Sequence, residues 1–260
     1  MYKMDEKDLE CVKDLYTTDL WLDKWRIEET KGGLLKDLYL WILDNPDFRR
    51  WCDDEASRLL WIRGDPGKGK TMLLCGIIDE LNDTARLETP TASPVLSFFF
   101  CQATDMRINH ATAVLRGLIY LLVKQRPALV SHLREKYEHA GKRLFEDVNA
   151  WAALSDILTN MLFDPAMGPT YLMIDVLDEC TGNLPQLLDL IVRTSASHVK
   201  WIVSSRNWPQ IEDQLRTTGH SCSLELNAKS VSAAVNIYIR RKVLQLAQQK
   251  KYNAQIQDAV

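Results

Sequence analysis

Two short stretches carry residues whose types and spacing can do chemistry: GDPGKGKT (Gly64–Thr71) and YLMIDVLDEC (Tyr171–Cys180). The first matches G-x-x-x-x-G-K-[ST] at every fixed position. Gly67 and Gly69 let the backbone curl until successive N–H groups point inward at phosphate oxygens. Lys70 is placed to reach the β- and γ-phosphates of a nucleotide, and Thr71 to put a hydroxyl on Mg2+. Asp65, Pro66 and Lys68 fill the variable positions, and Pro66, lacking an N–H, makes the donors begin at Gly67. The second stretch sets Asp175, Asp178 and Glu179 at the end of an apolar run. Carboxylates gathered there repel one another and lose hydration, so a cation or a reacting water is the usual reason for them.

The two stretches answer each other. Beside a phosphate loop, an acid at the C-terminal end of a second strand holds Mg2+, usually through water, which is the reading for Asp175. Asp178 or Glu179 then orients or deprotonates an attacking water, and spacing alone does not choose between them. The plainer alternative is that both cap the segment that follows. A third stretch, HVKWIVSSR (198–206), delivers Ser204, Ser205 and Arg206 to another strand end. Ligands of open α/β sheets bind at such ends, and a guanidinium matches phosphate geometry. Arg206 is therefore a candidate reader of the γ-phosphate, against the alternative of a surface salt bridge. The expected nucleotide ligands are Gly64, Asp65, Pro66, Gly67, Lys68, Gly69, Lys70, Thr71 and Arg206, with Thr71 and Asp175 on the metal and Glu179 and Asp178 as the catalytic pair.

The elements that must position these residues are legible in outline. RLLWIR (58–63) reads as a strand running into the glycine loop, and TMLLCGIIDEL after it as a helix. PVLSFFFCQ (94–102) lacks alternation and reads as a buried strand, as does YLMID (171–175), while HVKWIVSS (198–205) and SLEL (223–226) read as further strands, the last of them short. Helices are expected over 110–126, around 128–140, around 147–163, after Asn183, and from Trp208-Pro209, where proline favours the first turn. Trp208 is also expected to anchor packing. Strands alternating with helices argue for a parallel sheet covered on both faces. Before this core, Leu34, Leu35, Leu38, Trp41 and Ile42 recur at the spacing of a one-faced helix that Asn45-Pro46 ends. After it, Asn227 to Ser230 offer caps for a helix reaching about Gln249. The boundaries that follow are a helical lead-in over 1–55, a core over 56–227 and the start of a helical subdomain over 228–260, truncated within a longer protein.

Bulk properties narrow the partners. A net charge of −3 gives no sign of a nucleic-acid or membrane preference. The basic run RRKVLQLAQQKKY (240–252) reads as a solvated helix face, and a nucleic-acid-stimulated ATPase is the weaker alternative it supports. The start MYKMDEKDLE is too charged for a signal peptide, and runs such as LIYLLV (118–123) are too short to span a bilayer. The six cysteines are scattered without a CxxC pair; His220 and Cys222 lack a second pair at zinc-like spacing. Reduced structural thiols in a cytoplasmic setting follow.

Taken together, WIRGDPGKGKTML, YLMIDVLDEC and VKWIVSSRNWP resemble the NACHT domain of fungal NLR-like proteins, in the STAND class of P-loop ATPases. TKGGLLKDLYLWIL is similar to the segment leading into that domain in heterokaryon-incompatibility proteins. The resemblance implies a three-layer P-loop NTPase with a mainly parallel five-stranded sheet, an additional strand lying between the Walker A and Walker B strands. It implies a signalling switch in which ADP holds a closed monomer, while ATP with Mg2+ favours an open form that self-associates and activates an attached effector, with slow hydrolysis resetting it. By the same analogy Asp175 is the Walker B acid, Asp178 and Glu179 the acidic pair and Arg206 the sensor arginine, and Thr30 to Gly33 contribute to the base pocket. Sensor and effector domains belong to the longer protein; neither membrane nor nucleic acid is expected as a partner. Val176 departs from the family, where a small residue usually follows the Walker B acid. No N-K-x-D guanine motif occurs, which favours ATP, with GTP as the alternative; a P-loop phosphotransferase would need an arginine-rich lid that the sequence does not show.

Overall fold

Five apolar runs become the strands of one parallel sheet: β1 (Leu59–Arg63), β2 (Val95–Phe100), β3 (Thr170–Asp175), β4 (Val199–Ser205) and β5 (Ser221–Glu225). Their order is β2-β3-β4-β1-β5, so β4 stands between the strand that precedes the phosphate loop and the strand that ends in Asp175. The computed structural model describes residues 2–87, 94–195, 199–216, 221–227, 232, 235–236, 238–240 and 242–243. All of β2 and β4 is buried, as runs without alternation require when helices cover both faces.

Along β2 the pleat divides the side chains. Phe98 meets Trp21 edge to face, with ring centroids 4.8 Å apart, while the Ser97 hydroxyl donates to Leu118 O on the other side at 2.9 Å. The Phe98 side carries α2 (Leu20–Thr30) and α5 (Lys70–Leu87). The other side carries a contiguous layer of α6 (Ala111–Gln125), α8 (Ala150–Leu162), α9 (Leu184–Thr194) and α10 (Pro209–Leu215), with α7 (Ser131–Ala140) outside it. No helix among the described residues is long and apolar enough to cross a membrane.

The lead-in contributes to the same core. α1 (Glu6–Leu15) begins at a capping box in which Asp5 accepts from Asp8 N at 2.9 Å and Asp8 from Asp5 N at 3.1 Å. Its last carbonyls are taken by the half-buried Arg116, which donates to Asp14 O at 2.7 Å and Leu15 O at 3.1 Å. The buried Lys200 of β4 does the same for α4 (Pro46–Asp53), donating to Trp51 O, Cys52 O and Asp54 O. Cations at helix C-termini suit the helix dipole.

Two expectations change here. The run from Leu34 to Ile42 is not one amphipathic helix. Leu34 and Leu35 are extended chain ahead of α3 (Lys36–Tyr39), and residues Leu40–Asp44 continue as a 3₁₀ turn. The apolar spacing is real, but much of it lines a cavity rather than a helix seam, as shown below. Asn45 ends that segment by starting another, since its side chain accepts from Asp47 N and Phe48 N with Pro46 in the first turn of α4. Trp208 is 40% exposed and so does not anchor packing; it precedes Pro209 at the start of α10. The end of the expected C-terminal helix, including Lys250 and Lys251, lies outside the described residues, as do Ser230 and His220. Cys222 contacts the Ser57 hydroxyl at 3.0 Å, and no cluster of metal-ligating side chains forms among the described residues.

One ion pair ties the lead-in to the phosphate-loop helix. Lys24 on α2 is buried between Glu28 of its own helix and Asp79 of α5, the latter at 2.7 Å. Lys24→Met leaves both carboxylates unpaired and is expected to lower unfolding stability by about 1.5–3 kcal/mol. Urea denaturation checks this; an unchanged midpoint means that water replaces the ammonium at no cost.

Candidate nucleotide-binding site

Parallel register brings the three expected strand ends to one edge of the sheet. Arg63 of β1 stands opposite Ser205 of β4, and Ile174 of β3 opposite Val203. The chain therefore leaves β1 as Gly64, β4 as Arg206 and β3 as Val176 side by side. Gly67 and Gly69 hold φ of +77° and +85°, left-handed values that a side chain would strain, and no atom crowds either one. The strain, not lack of room, explains glycine there. α5 begins at Lys70, leaving its first backbone N–H groups without intrahelical partners and its positive end toward the loop.

Pro66, Gly67, Lys68, Gly69, Lys70 and Thr71 line a cavity of about 170 Å³ together with Lys31, Val176, Glu179 and Arg206. Gly64 and Asp65 serve differently: their carbonyls accept from Lys70 Nζ at 2.6 and 3.1 Å. Burial pushes the Lys70 ammonium's pKa down, and the nearby Asp178 and Asp175 pull it back up. Asp175 is 1% exposed, and burial raises its carboxyl above the ordinary range, countered by hydrogen bonds from the Ser204 and Thr71 hydroxyls. The sign is that of a raised acid: ionised Asp175 costs folding stability as pH rises above the unfolded value, until a cation offsets it. Thr71 and Asp175 thus place two oxygens together in a site short of positive charge. That suits Mg2+, which takes few protein ligands and completes its shell with water and phosphate oxygens.

The acidic pair, equal in the sequence, separates in space. Asp178 has a buried side chain that accepts from Arg206 N at 2.9 Å, and its second oxygen lies 3.0 Å from Arg206 Nε, close but off the hydrogen-bond line. No hydrogen bond ties the two terminal guanidinium nitrogens among the described residues. Glu179 instead lines the cavity, and its Oε2 accepts from Ala103 N at 2.9 Å beyond β2. Neither acid caps α9, whose N-cap position is Asn183. Arg206 is not a bare surface salt bridge, because its partner is buried and its side chain faces the loop cavity.

Several residues support the site through contacts that the sequence did not indicate. Ser204 ties the strand ends together, donating to Asp175 Oδ1 while accepting from Val176 N at 2.9 Å. Ser205 accepts from Trp61 Nε1 at 2.8 Å. Val176 takes the left-handed conformation, φ +55° and ψ +55°, at a cost of about 1–2 kcal/mol for an L-residue. Only glycine would make this turn without strain.

Beside the loop lies a larger, mostly apolar cavity of about 310 Å³, walled by Lys31, Gly33, Leu34, Leu35, Leu38, Tyr39 and Trp41 on the lead-in side and by Gly67 to Gly69, Met72 and Leu73 on the other. Its size falls at the lower end of ligand sites. Of Thr30 to Gly33, the residues expected near a base, Lys31 and Gly33 reach it. Thr30 does not, and its hydroxyl donates to Arg26 O at 2.7 Å.

The profile of the family "Nephrocystin 3, N-terminal" matches residues 37–206. The chain is 60% identical over 252 residues to vegetative incompatibility protein HET-E-1 of Podospora anserina, spanning 95% of this chain but 18% of that protein. Among solved structures, the Orc1 protein of Aeropyrum pernix in complex with DNA aligns over 95% of this chain and 61% of its own, at 13% identity and a TM-score of 0.38. PCH-2 of C. elegans aligns over 85% and 46%, at 13% identity and a TM-score of 0.34. Likenesses that loose say nothing about chemistry. The family match covers well over half of the chain, which belongs to the nephrocystin 3 N-terminal family and is of the NACHT type.

Proposed function

We propose that this chain is the nucleotide-controlled switch of a longer NLR-like signalling protein, closed with ADP and self-associating with ATP, with slow hydrolysis between the two. The observation that carries the reading is the single cavity shared by the phosphate loop, Glu179 and Arg206, with Asp175 behind Thr71. Lys70, Thr71 and the loop amides bind the phosphates, and Thr71 and Asp175 hold Mg2+. The metal would supply positive charge that offsets the charge of the phosphates. Glu179 orients the attacking water, while Asp178 aims Arg206 at the γ-phosphate. The apolar cavity takes the base, adenine by preference, and the nucleotide that copurifies with the protein decides between adenine and guanine. The sensor and effector segments of the longer protein supply trigger and output, in the cytoplasm, with no nucleic acid or membrane required.

A γ-phosphate is the only group that separates the two states, so its contacts must bias the equilibrium. Moving a switch from 1:99 to 99:1 takes about 5.5 kcal/mol of differential binding. A charge-assisted contact supplies about 1.5–3 kcal/mol, so Arg206 provides a substantial share and the metal the rest. Arg206→Ala is expected to weaken binding of a non-hydrolysable ATP analogue roughly tenfold or more while leaving ADP within about threefold. Calorimetric titration of both ligands tests it. Equal losses for the two would remove Arg206 from γ-phosphate recognition.

A further inference from the structure

We propose that Lys31, at the end of α2, is a phosphate ligand supplied by the lead-in, so that bound nucleotide clamps the lead-in onto the phosphate loop. The proposal rests on the reading of the cavities as a nucleotide site and adds a ligand outside the motifs. Lys31 lines both cavities, and it shares that position only with Gly67, Lys68 and Gly69 of the loop itself. A group on the boundary between an apolar pocket and a phosphate-lined one faces the part of a nucleotide that joins base to phosphates.

Its place is set by the backbone. Gly33 N donates to Glu28 O at 2.8 Å and Gly32 N to Glu29 O at 3.1 Å, with both glycines at positive φ. These two bonds form a Schellman cap, which terminates α2 at Lys31 and fixes where its side chain departs. Two turns earlier on the same helix, Lys24 is bridged to Asp79 of α5, so the cap is held in register with the helix that grows from the phosphate loop. The Lys31 side chain is exposed and pairs with no carboxylate among the described residues, leaving its charge available.

The geometry separates Lys31 from Arg206 in function. Arg206 stands by the γ-phosphate position, whereas Lys31 stands where the cavities meet and contacts phosphates common to ADP and ATP. Lys31→Ala should therefore weaken ADP and a non-hydrolysable ATP analogue alike, by about 10- to 100-fold, and weaken inorganic tripolyphosphate comparably, because that probe carries no base. Lys31→Arg should restore most of the affinity. Hydrogen exchange gives a second readout: nucleotide should protect the amides of residues 31–35 in the unchanged protein and fail to do so in Lys31→Ala at matched occupancy. Because the side chain is exposed, thermal melting of the variant should match the parent. If the unchanged protein binds none of the three ligands, the nucleotide reading itself falls. If it binds them and Lys31→Ala is indistinguishable from it, only the role of Lys31 falls. A loss for ADP without one for tripolyphosphate would make Lys31 part of the base wall and overturn the proposal.

Discussion

Lys70→Ala is expected to lower nucleotide affinity by more than about a hundredfold while leaving the fold intact. Lys70 is 8% exposed and, among the described residues, its ammonium donates to two carbonyls of its own loop, so it is already confined to the place where phosphates would sit. Bonds from a charged donor to phosphate oxygens contribute about 1.5–3 kcal/mol each, and two of them convert to two or more orders of magnitude. Stability should respond far less. Burial disfavours the charged form of this lysine, so removing it also removes a desolvation cost. Fluorescent-nucleotide titration beside urea denaturation separates the effects. Retained binding in a folded variant would sink the phosphate-loop assignment, and joint loss of binding and cooperative unfolding would show the lysine to be structural.

Glu179→Gln is expected to preserve nucleotide binding and slow hydrolysis by about 10²- to 10⁴-fold, the usual worth of a positioned base. Gln keeps an oxygen able to accept from Ala103 N, so the side chain retains its anchor and loses only charge and basicity. Single-turnover phosphate release at saturating Mg2+ and ATP measures the step directly. Unchanged turnover would remove Glu179 from the mechanism. The same assay on the unchanged protein should show slow release that needs no added acceptor, which separates a switch from a phosphotransferase.

Much of this protein was legible in one dimension. Motifs whose chemistry depends on neighbours along the chain need no fold to be read: the glycines and lysine of Gly64–Thr71 act through one loop, and the apolar runs before Gly64, Val176 and Arg206 announce strands by composition. Their alternation with helices implied a parallel sheet, and the family resemblance added a strand between the Walker A and Walker B strands, which the fold identifies as β4.

What the linear pattern left open was every choice made by contacts distant in sequence. Asp178 and Glu179 are neighbours with the same charge, and only the approach of Arg206 after β4 and Ala103 after β2 leaves one buried with an arginine partner and the other on a cavity wall. Leu34 to Trp41 keep helical spacing, yet spacing records which residues avoid water and not what replaces it. Here a good part of that surface lines an open pocket beside the phosphate loop. Lys31 entered the sequence reading only within Thr30 to Gly33, as part of the base pocket that the resemblance implied. Its meaning depends on a Schellman cap and an ion pair to α5, which turn a local stop signal into a fixed charge at the mouth of the site. Local chemistry is written in adjacent residues, whereas the direction in which a side chain finally points is set by the packing of elements brought together from the whole chain.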